Sequence, residues 1–125
     1  MIGLDISAAF DKISHSILIE RLRTEFGITD TALSWIQSYL EGRTQYVKVG
    51  RHSSPVVICT SGVPQGSVLG PLLFAVYTSP VGAVINNHGV RYHQYADDTQ
   101  LHMAMKTEST TVGVATLAAC TTDVK

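Results

Sequence analysis

The sequence predicts an α+β fold, an antiparallel sheet covered on one face by helices. Apolar residues recur at helical spacing early in the chain, and β-rich runs flank turn residues later on. The two kinds of element mix without the regular alternation of a parallel sheet. With 125 residues there is room for one small domain, and 45% hydrophobic against 15% charged residues allows a buried core rather than a disordered chain.

Met1–Ile6 reads as a short buried strand ending in the carboxylate of Asp5, with Gly3 weakening it. From Ile13 to Phe26 the residues Ile13, Ile17, Leu18, Leu22 and Phe26 form a helical stripe, and Gly27 supplies a left-handed exit. Thr29 or Asp30 caps a second helix carrying Leu33, Ile36 and Leu40, with Trp35 and Tyr39 beside them as further core residues. Gly42 ends that helix. Tyr46, Val47 and Val49 form one β-rich run and Val56, Val57 and Ile58 another, separated by Gly50–Pro55, which predicts a surface hairpin or strand pair. Three glycines and a proline make Ser61–Gly70 a shaped loop. Pro71 suits the first turn of a helix through Tyr77, and Pro80 begins or kinks a second piece towards Asn87. Gly89 breaks the chain before a strand at Val90–Ala96. Asp97-Asp98 then makes a tight turn, and Thr99–Met105 returns as the partner strand. The threonine- and alanine-rich tail from Thr107 predicts a weak helix.

Composition narrows the function. A net charge of −1 is weak for a protein that grips a nucleic-acid duplex alone, yet it is compatible with an acidic centre built for metal. Cys59 and Cys120 have no CxxC or CxxH spacing, so neither a zinc knuckle nor a disulfide framework is expected, which suits a reducing, intracellular compartment. No charged segment precedes an apolar one at Met1, so no signal peptide is expected. The apolar stretch from Val68 to Ile85 is interrupted by Gly70, Pro71, Thr78, Ser79 and Pro80, which favours a buried helix over a membrane span. His15, His52, His88, His93 and His102 share no metal-ligand spacing, although His93 and His102 could face each other across the hairpin. No serine has the partners of a hydrolase triad.

Adjacent carboxylates repel, so two acids at a hairpin tip suggest a divalent cation, and hard oxygen donors suit Mg²⁺. By itself Asp97-Asp98 reads better as a solvated turn. Asp5, at the end of an apolar strand, changes the balance: beside the hairpin it would bring three carboxylates to one spot, enough to bridge two metals for phosphoryl transfer. A turn acid or helix cap is its plainer alternative. In the loop, Gly62, Gly66 and Gly70 allow close backbone approach and lead into a helix N-terminus, a place that favours anions. A purely structural loop has the same composition.

Leu4-Asp5-Ile6-Ser7-Ala8-Ala9-Phe10-Asp11 resembles the first palm motif of reverse transcriptases (motif A) in its non-LTR form. Gly62-Val63-Pro64-Gln65-Gly66-Ser67-Val68-Leu69-Gly70-Pro71-Leu72-Leu73-Phe74 resembles the second (motif B), and Tyr95-Ala96-Asp97-Asp98 the third (motif C), the YxDD box, here YADD. The three occur in family order and span nearly the whole chain, a far more specific signal than the last alone. Tyr77-Thr78-Ser79-Pro80 and the run from His93 to Leu101 further resemble vertebrate-type LINE elements of the CR1/L2/Rex kind, within a wider CR1/L2/Rex/jockey-like resemblance of the chain.

The resemblance implies a partial right-hand polymerase palm, residues 1–125, without fingers or thumb. Asp5, Asp97 and Asp98 would be the catalytic carboxylates and, with the Ile6 carbonyl, would hold two Mg²⁺ ions, Mn²⁺ being a possible substitute. Phe10 matches the steric gate against a ribose 2′-hydroxyl. Gln65 and Gly66 would line the nucleotide and template side, and Tyr95 and Ala96 would flank the primer end. Asp11 is expected to make a structural hydrogen bond. Arg43, Lys48 and Arg51, a basic cluster without an acid among them, would touch template phosphate or form a solvated hairpin. RNA template, DNA primer and dNTPs are the implied partners. Family members carry fingers before the first motif, and a fourth palm motif and thumb after the third. The isolated chain is therefore expected to extend primers poorly, and a catalytically inactive remnant is the alternative reading.

Overall fold

The computed structural model describes every residue except Ser7, Thr107, Glu108, Ser109 and Lys125, so Ser7 of the first motif and the first residues of the expected tail helix lie outside it. In chain order the elements are β1 (Ile2–Leu4), α1 (His15–Thr24), α2 (Asp30–Leu40), β2 (Thr44–Gln45), β3 (Lys48–Val49), β4 (His52–Ser53), β5 (Val57–Ile58), α3 (Gly70–Asn87), β6 (Arg91–Tyr95), β7 (Asp98–His102) and α4 (Thr110–Asp123). Every strand pair among them is antiparallel, so the mixed helix-and-strand class is as the sequence predicts. The chain forms two compact units, Met1–Ala9 with Thr78–Lys125, and Phe10–Tyr77.

The first unit is built on a three-stranded sheet in the order β1-β7-β6. Ile2 pairs with Leu101 and Leu4 with Thr99, while Tyr92 pairs with Leu101 and Gln94 with Thr99. Side chains alternate across a strand, so these residues share one face and Asp98, Gln100 and Tyr95 share the other. The first face is the covered one. Leu101 packs with Ile85 of α3, Val90, and Leu117 and Cys120 of α4, and Leu4, Val81, Met103 and Val124 close around them. Tyr92 reaches the helix at Gly82, where a Cβ would run into its hydroxyl. Leu101→Ala is expected to cost about 2–5 kcal/mol of stability, because a fully buried side chain at the centre of this cluster leaves a cavity. Urea denaturation measures it.

Several expectations change in this unit. The strands are shorter than their apolar runs, β1 keeping three residues and β6 and β7 five each, and β1 is exposed to half-buried rather than buried. His93 pairs with Gln100 and His102 with Arg91, so the two histidines are diagonal neighbours rather than opposed. Pro80 neither starts nor ends a helix: α3 runs through it for 18 residues. Proline removes one backbone donor there, and on its C-terminal side Ile85 is packed into the core with Val90, Leu101, Leu117 and Cys120.

Both cysteines are free thiols. Burial, with the Asp123 carboxylate adding to it, raises the Cys120 pKa above the ordinary 9.0. A raised thiol pKa keeps the proton on the folded form after the unfolded chain has lost its own, so this group's contribution falls as pH rises above about 9. Ellman's reagent at pH 8 is accordingly expected to label the half-buried Cys59 well before Cys120.

In the second unit the buried apolar residues are Ile13, Leu18, Ile19 and Leu22 of the α1 region, Leu40 of α2, Val63 of the loop, and Leu73, Phe74 and Val76 from the start of α3. Arg21 ties α1 to α3, donating to the Tyr77 carbonyl and lying over its ring. Gly27 and Gly42 end α1 and α2 at φ +65° and +66°, as their positions predict. Ile17 and Phe26 are exposed although they continue the α1 stripe. Trp35 is a clearer correction: it is 58% exposed, not core. The surface hairpin is present in two tiers, β2 with β5 and β3 with β4, the inner one turning at Gly50.

Candidate active site

The first unit gathers Asp5, Ile6, Tyr95, Ala96, Asp97 and Asp98. Hairpin β6–β7 closes with Tyr95 paired to Asp98, so its two turn residues are Ala96 and Asp97 rather than the expected Asp97-Asp98, and Asp98 already belongs to β7. Ala96 has φ +52°, the positive angle that mirror-image hairpin turns require and that a side chain resists. Strain of this kind persists only where the surroundings hold it. On the other edge of β7, Leu4 pairs with Thr99, so Asp5 follows one residue beyond the ladder, level with Asp98. Direct cross-strand neighbours sit about 4.5–5.5 Å apart at Cβ, and like charges placed so are destabilising. Asp5 and Asp98 are exposed and Asp97 is half-buried. Among the described residues no ion pair involves these acids.

Asp5 thus follows the end of β1 while Asp98 begins the strand that β1 pairs with, and Asp97 sits in the adjoining turn. Among the described residues, no three His, Cys, Asp or Glu side chains converge closely enough to hold a metal ion. Asp97 occupies a turn position outside the strand alternation that aligns the other two. Closing three like charges into one coordination sphere takes a cation's attraction.

The second unit holds Phe10, Gln65 and Gly66 with Asp11. The loop that carries the second motif is fastened to the residues that follow the first. Gly62 N–H donates to Ile13 C=O (2.8 Å) and Val63 N–H to Phe10 C=O (2.9 Å). Ser14 and Ser61 form an antiparallel bridge, the Ser61 hydroxyl donates to Asp11 C=O (3.0 Å), and the His15 ring meets Gly62 C=O (2.7 Å). Gly62 has φ +84° and lies so flat on Asp11 that a Cβ would sit 2.9 Å from its backbone. Asp11 does make the expected structural contacts, through its carbonyl and, at 3.5 Å, from Gln65 Nε2 to its carboxylate. The Ser67 hydroxyl accepts from Gly70 N–H (3.0 Å) and caps the entry to α3. Phe10 stacks on Phe74, centroids 4.7 Å apart, so its ring is held in place.

A cleft of about 820 Å³ opens in this unit, lined by the loop from Ile58 to Gln65, by Asp11 and His15, and by Leu40, Arg43, Thr44 and Gln45. His15 is a residue that sequence reasoning set aside, and it helps to fix the loop. Its only signal was its place four residues after Asp11. Among the described residues no helix is long and apolar enough to cross a membrane.

An acid-tipped hairpin beside an acid-ended strand, with a fastened glycine loop opening a helix, sets the chain among polymerase-type proteins, and the comparisons with known proteins agree. Residues 1–125 match the family model for reverse transcriptase (RNA-dependent DNA polymerase), and the chain belongs to that family. It is 37% identical over 119 residues to the RNA-directed DNA polymerase from mobile element jockey of Drosophila melanogaster, covering 90% of this chain and 12% of that protein. A probable RNA-directed DNA polymerase from transposon BS of the same species is 40% identical over 76 residues, 61% of this chain and 8% of the relative. The Pol polyprotein from type-1 retrotransposable element R2 of Popillia japonica is 30% identical over 87 residues, 70% and 14% respectively. The chain therefore spans between 8% and 14% of the length of these relatives. All three names are those of mobile-element proteins, in keeping with the non-LTR, LINE-type form of the motifs.

Proposed function

We propose that this chain is the palm core of a retrotransposon RNA-directed DNA polymerase. The single observation that supports the reading is the β1–β7 register: Leu4 pairs with Thr99, so Asp5 follows β1 where Asp98 of the YADD hairpin begins β7. The donor chemistry fits the metal that the family implies: Asp5, Asp97, Asp98 and the Ile6 carbonyl offer hard oxygens, with no competing internal cation among the described residues. Those residues would hold two Mg²⁺, which when bound supply charge neutralisation to the attacking and leaving oxygens of phosphoryl transfer. The primer 3′-hydroxyl would lose its proton to solvent and attack the α-phosphate of a dNTP, forming a P–O bond as the bond from the α-phosphorus to the bridging oxygen breaks and pyrophosphate leaves. Catalysis of this kind is mostly positioning and electrostatics.

The remaining roles follow the motif match. Phe10, its ring held against Phe74, would exclude a 2′-hydroxyl and so select deoxynucleotides. Gln65 and Gly66 would face nucleotide and template, while Tyr95 and Ala96 would flank the primer end. RNA template, DNA primer and dNTPs are the proposed partners within the full-length enzyme, working inside the cell. Primer extension on an RNA template with Mg²⁺ is the test, run on the full-length protein and on this chain alone. The full-length protein is expected to extend and the isolated chain is not, because phosphate contacts from other regions supply most of the affinity. A full-length protein that cuts nucleic acid and ignores dNTPs would overturn the reading.

A further inference from the structure

We infer that the outer face of α2, with Arg43 folded back over its end, is a stacking platform for single-stranded nucleic acid. The strand's identity as RNA template rests on the polymerase reading above. Trp35 is exposed, and its ring lies nearly parallel to that of Tyr39, 15° between planes and 6.0 Å between centroids. The Arg43 guanidinium covers the Tyr39 ring at 4.4 Å. Spaced four residues apart at 35, 39 and 43, the three groups form a ladder with the tryptophan at its free end.

The ladder is built rather than incidental. Gly42, at φ +66°, turns the chain so that Arg43 folds back over the helix. Arg43 Nε donates to the Tyr39 carbonyl (2.5 Å), where the C-terminal end of a helix favours a cation. The Arg43 carbonyl in turn accepts from Cys59 N–H (2.8 Å), which fastens the root of the hairpin. A planar face preordered in this way loses little entropy when a base stacks on it.

Charge selects the occupant. From Arg43 to Ile58 the sequence carries Arg43, Lys48 and Arg51 and no acid, in a chain whose net charge is −1. An apolar protein partner has no use for a cation laid over the ladder, whereas a nucleic-acid strand offers a π-face for Trp35 and phosphates for Arg43. Stacking on aromatic side chains with cation–π support from arginine is the sequence-tolerant way of holding a single strand, each stacked base being worth about 1–3 kcal/mol, or roughly 5- to 150-fold in affinity.

Trp35 is the chain's one tryptophan, so its emission reports on the platform directly. The 125-residue chain is titrated at low salt with a 12-nucleotide adenosine oligoribonucleotide and with an abasic strand of equal charge. Saturable quenching by the adenosine strand alone is expected, weakened about tenfold in Arg43→Ala and largely restored in Arg43→Lys. Equal effects from both strands would overturn the inference, as would none, or a concentration-dependent blue shift without RNA, which would mark a surface between copies. Fluorescence anisotropy of labelled RNA on the full-length protein keeps the test independent of the short chain's folding: Trp35→Ala is expected to raise the RNA dissociation constant about tenfold and leave the KM for dNTP unchanged. An unchanged constant would sink the platform. Asp97→Ala separates the two readings. Loss of extension with RNA binding indifferent to Trp35 defeats only the platform, and the converse defeats only the polymerase.

Discussion

On the proposed polymerase reading, Asp97→Ala in a full-length protein is expected to lower Mg²⁺-dependent primer extension at least about 1,000-fold, an effect of about 4 kcal/mol on the barrier. The size follows from the placement of charge. Asp97 sits in the turn of the hairpin that ends level with Asp5, and few other groups at that end of the sheet can supply its negative oxygen. Asp97→Asn keeps the shape and removes the charge, and it is expected to be as inactive as the alanine variant. Asp5→Ala is expected to show a comparable loss, and the double variant little more than either, since groups that act as one unit lose their function together. RNA binding should persist, because none of these carboxylates attracts phosphate. Steady-state extension rates with filter-binding controls measure both. A variant at Asp97 that retains its rate would end the polymerase reading.

Gly62→Ala is expected to destabilise the second unit by about 2–4 kcal/mol, measured by urea denaturation of the chain. Two costs add. A side chain at φ +84° meets the intrinsic penalty of the left-handed region, about 1–2 kcal/mol. The new Cβ also lies 2.9 Å from the Cα and carbonyl oxygen of Asp11, and backbone cannot swing aside as a flexible side chain does. Gly66→Ala is the internal control: its φ is +76° but nothing lies within 4 Å of its added carbon, so only the first cost applies. The difference between the two variants isolates the packing of the loop on Asp11. Equal effects would mean that the loop is not seated there.

Local chemistry was legible in the sequence. The glycines at 27, 42, 50 and 89 stand where the chain turns with positive φ, because only a residue without a Cβ adopts that angle freely. The two hairpins and the helices at His15–Thr24 and Asp30–Leu40 follow from period and punctuation. Pro80 misled as the start of a second helix, since a lost hydrogen bond is a local quantity and α3 continues through it. Trp35 misled in the same way: helical spacing places it beside Leu40 in the pattern, yet the azimuth that faces solvent depends on what α2 packs against.

By itself the sequence determined the family, through three motifs whose residue types and order leave little freedom, and it determined which carboxylates to watch. Only the tertiary structure decided that Asp5, more than ninety positions from Asp98 in the chain, comes level with it, because strand register is set by the pairing of Ile2 with Leu101 and Leu4 with Thr99. Pairing partners are chosen by which apolar faces can be buried together, and that choice depends on the whole sheet and its covering helices rather than on any one segment.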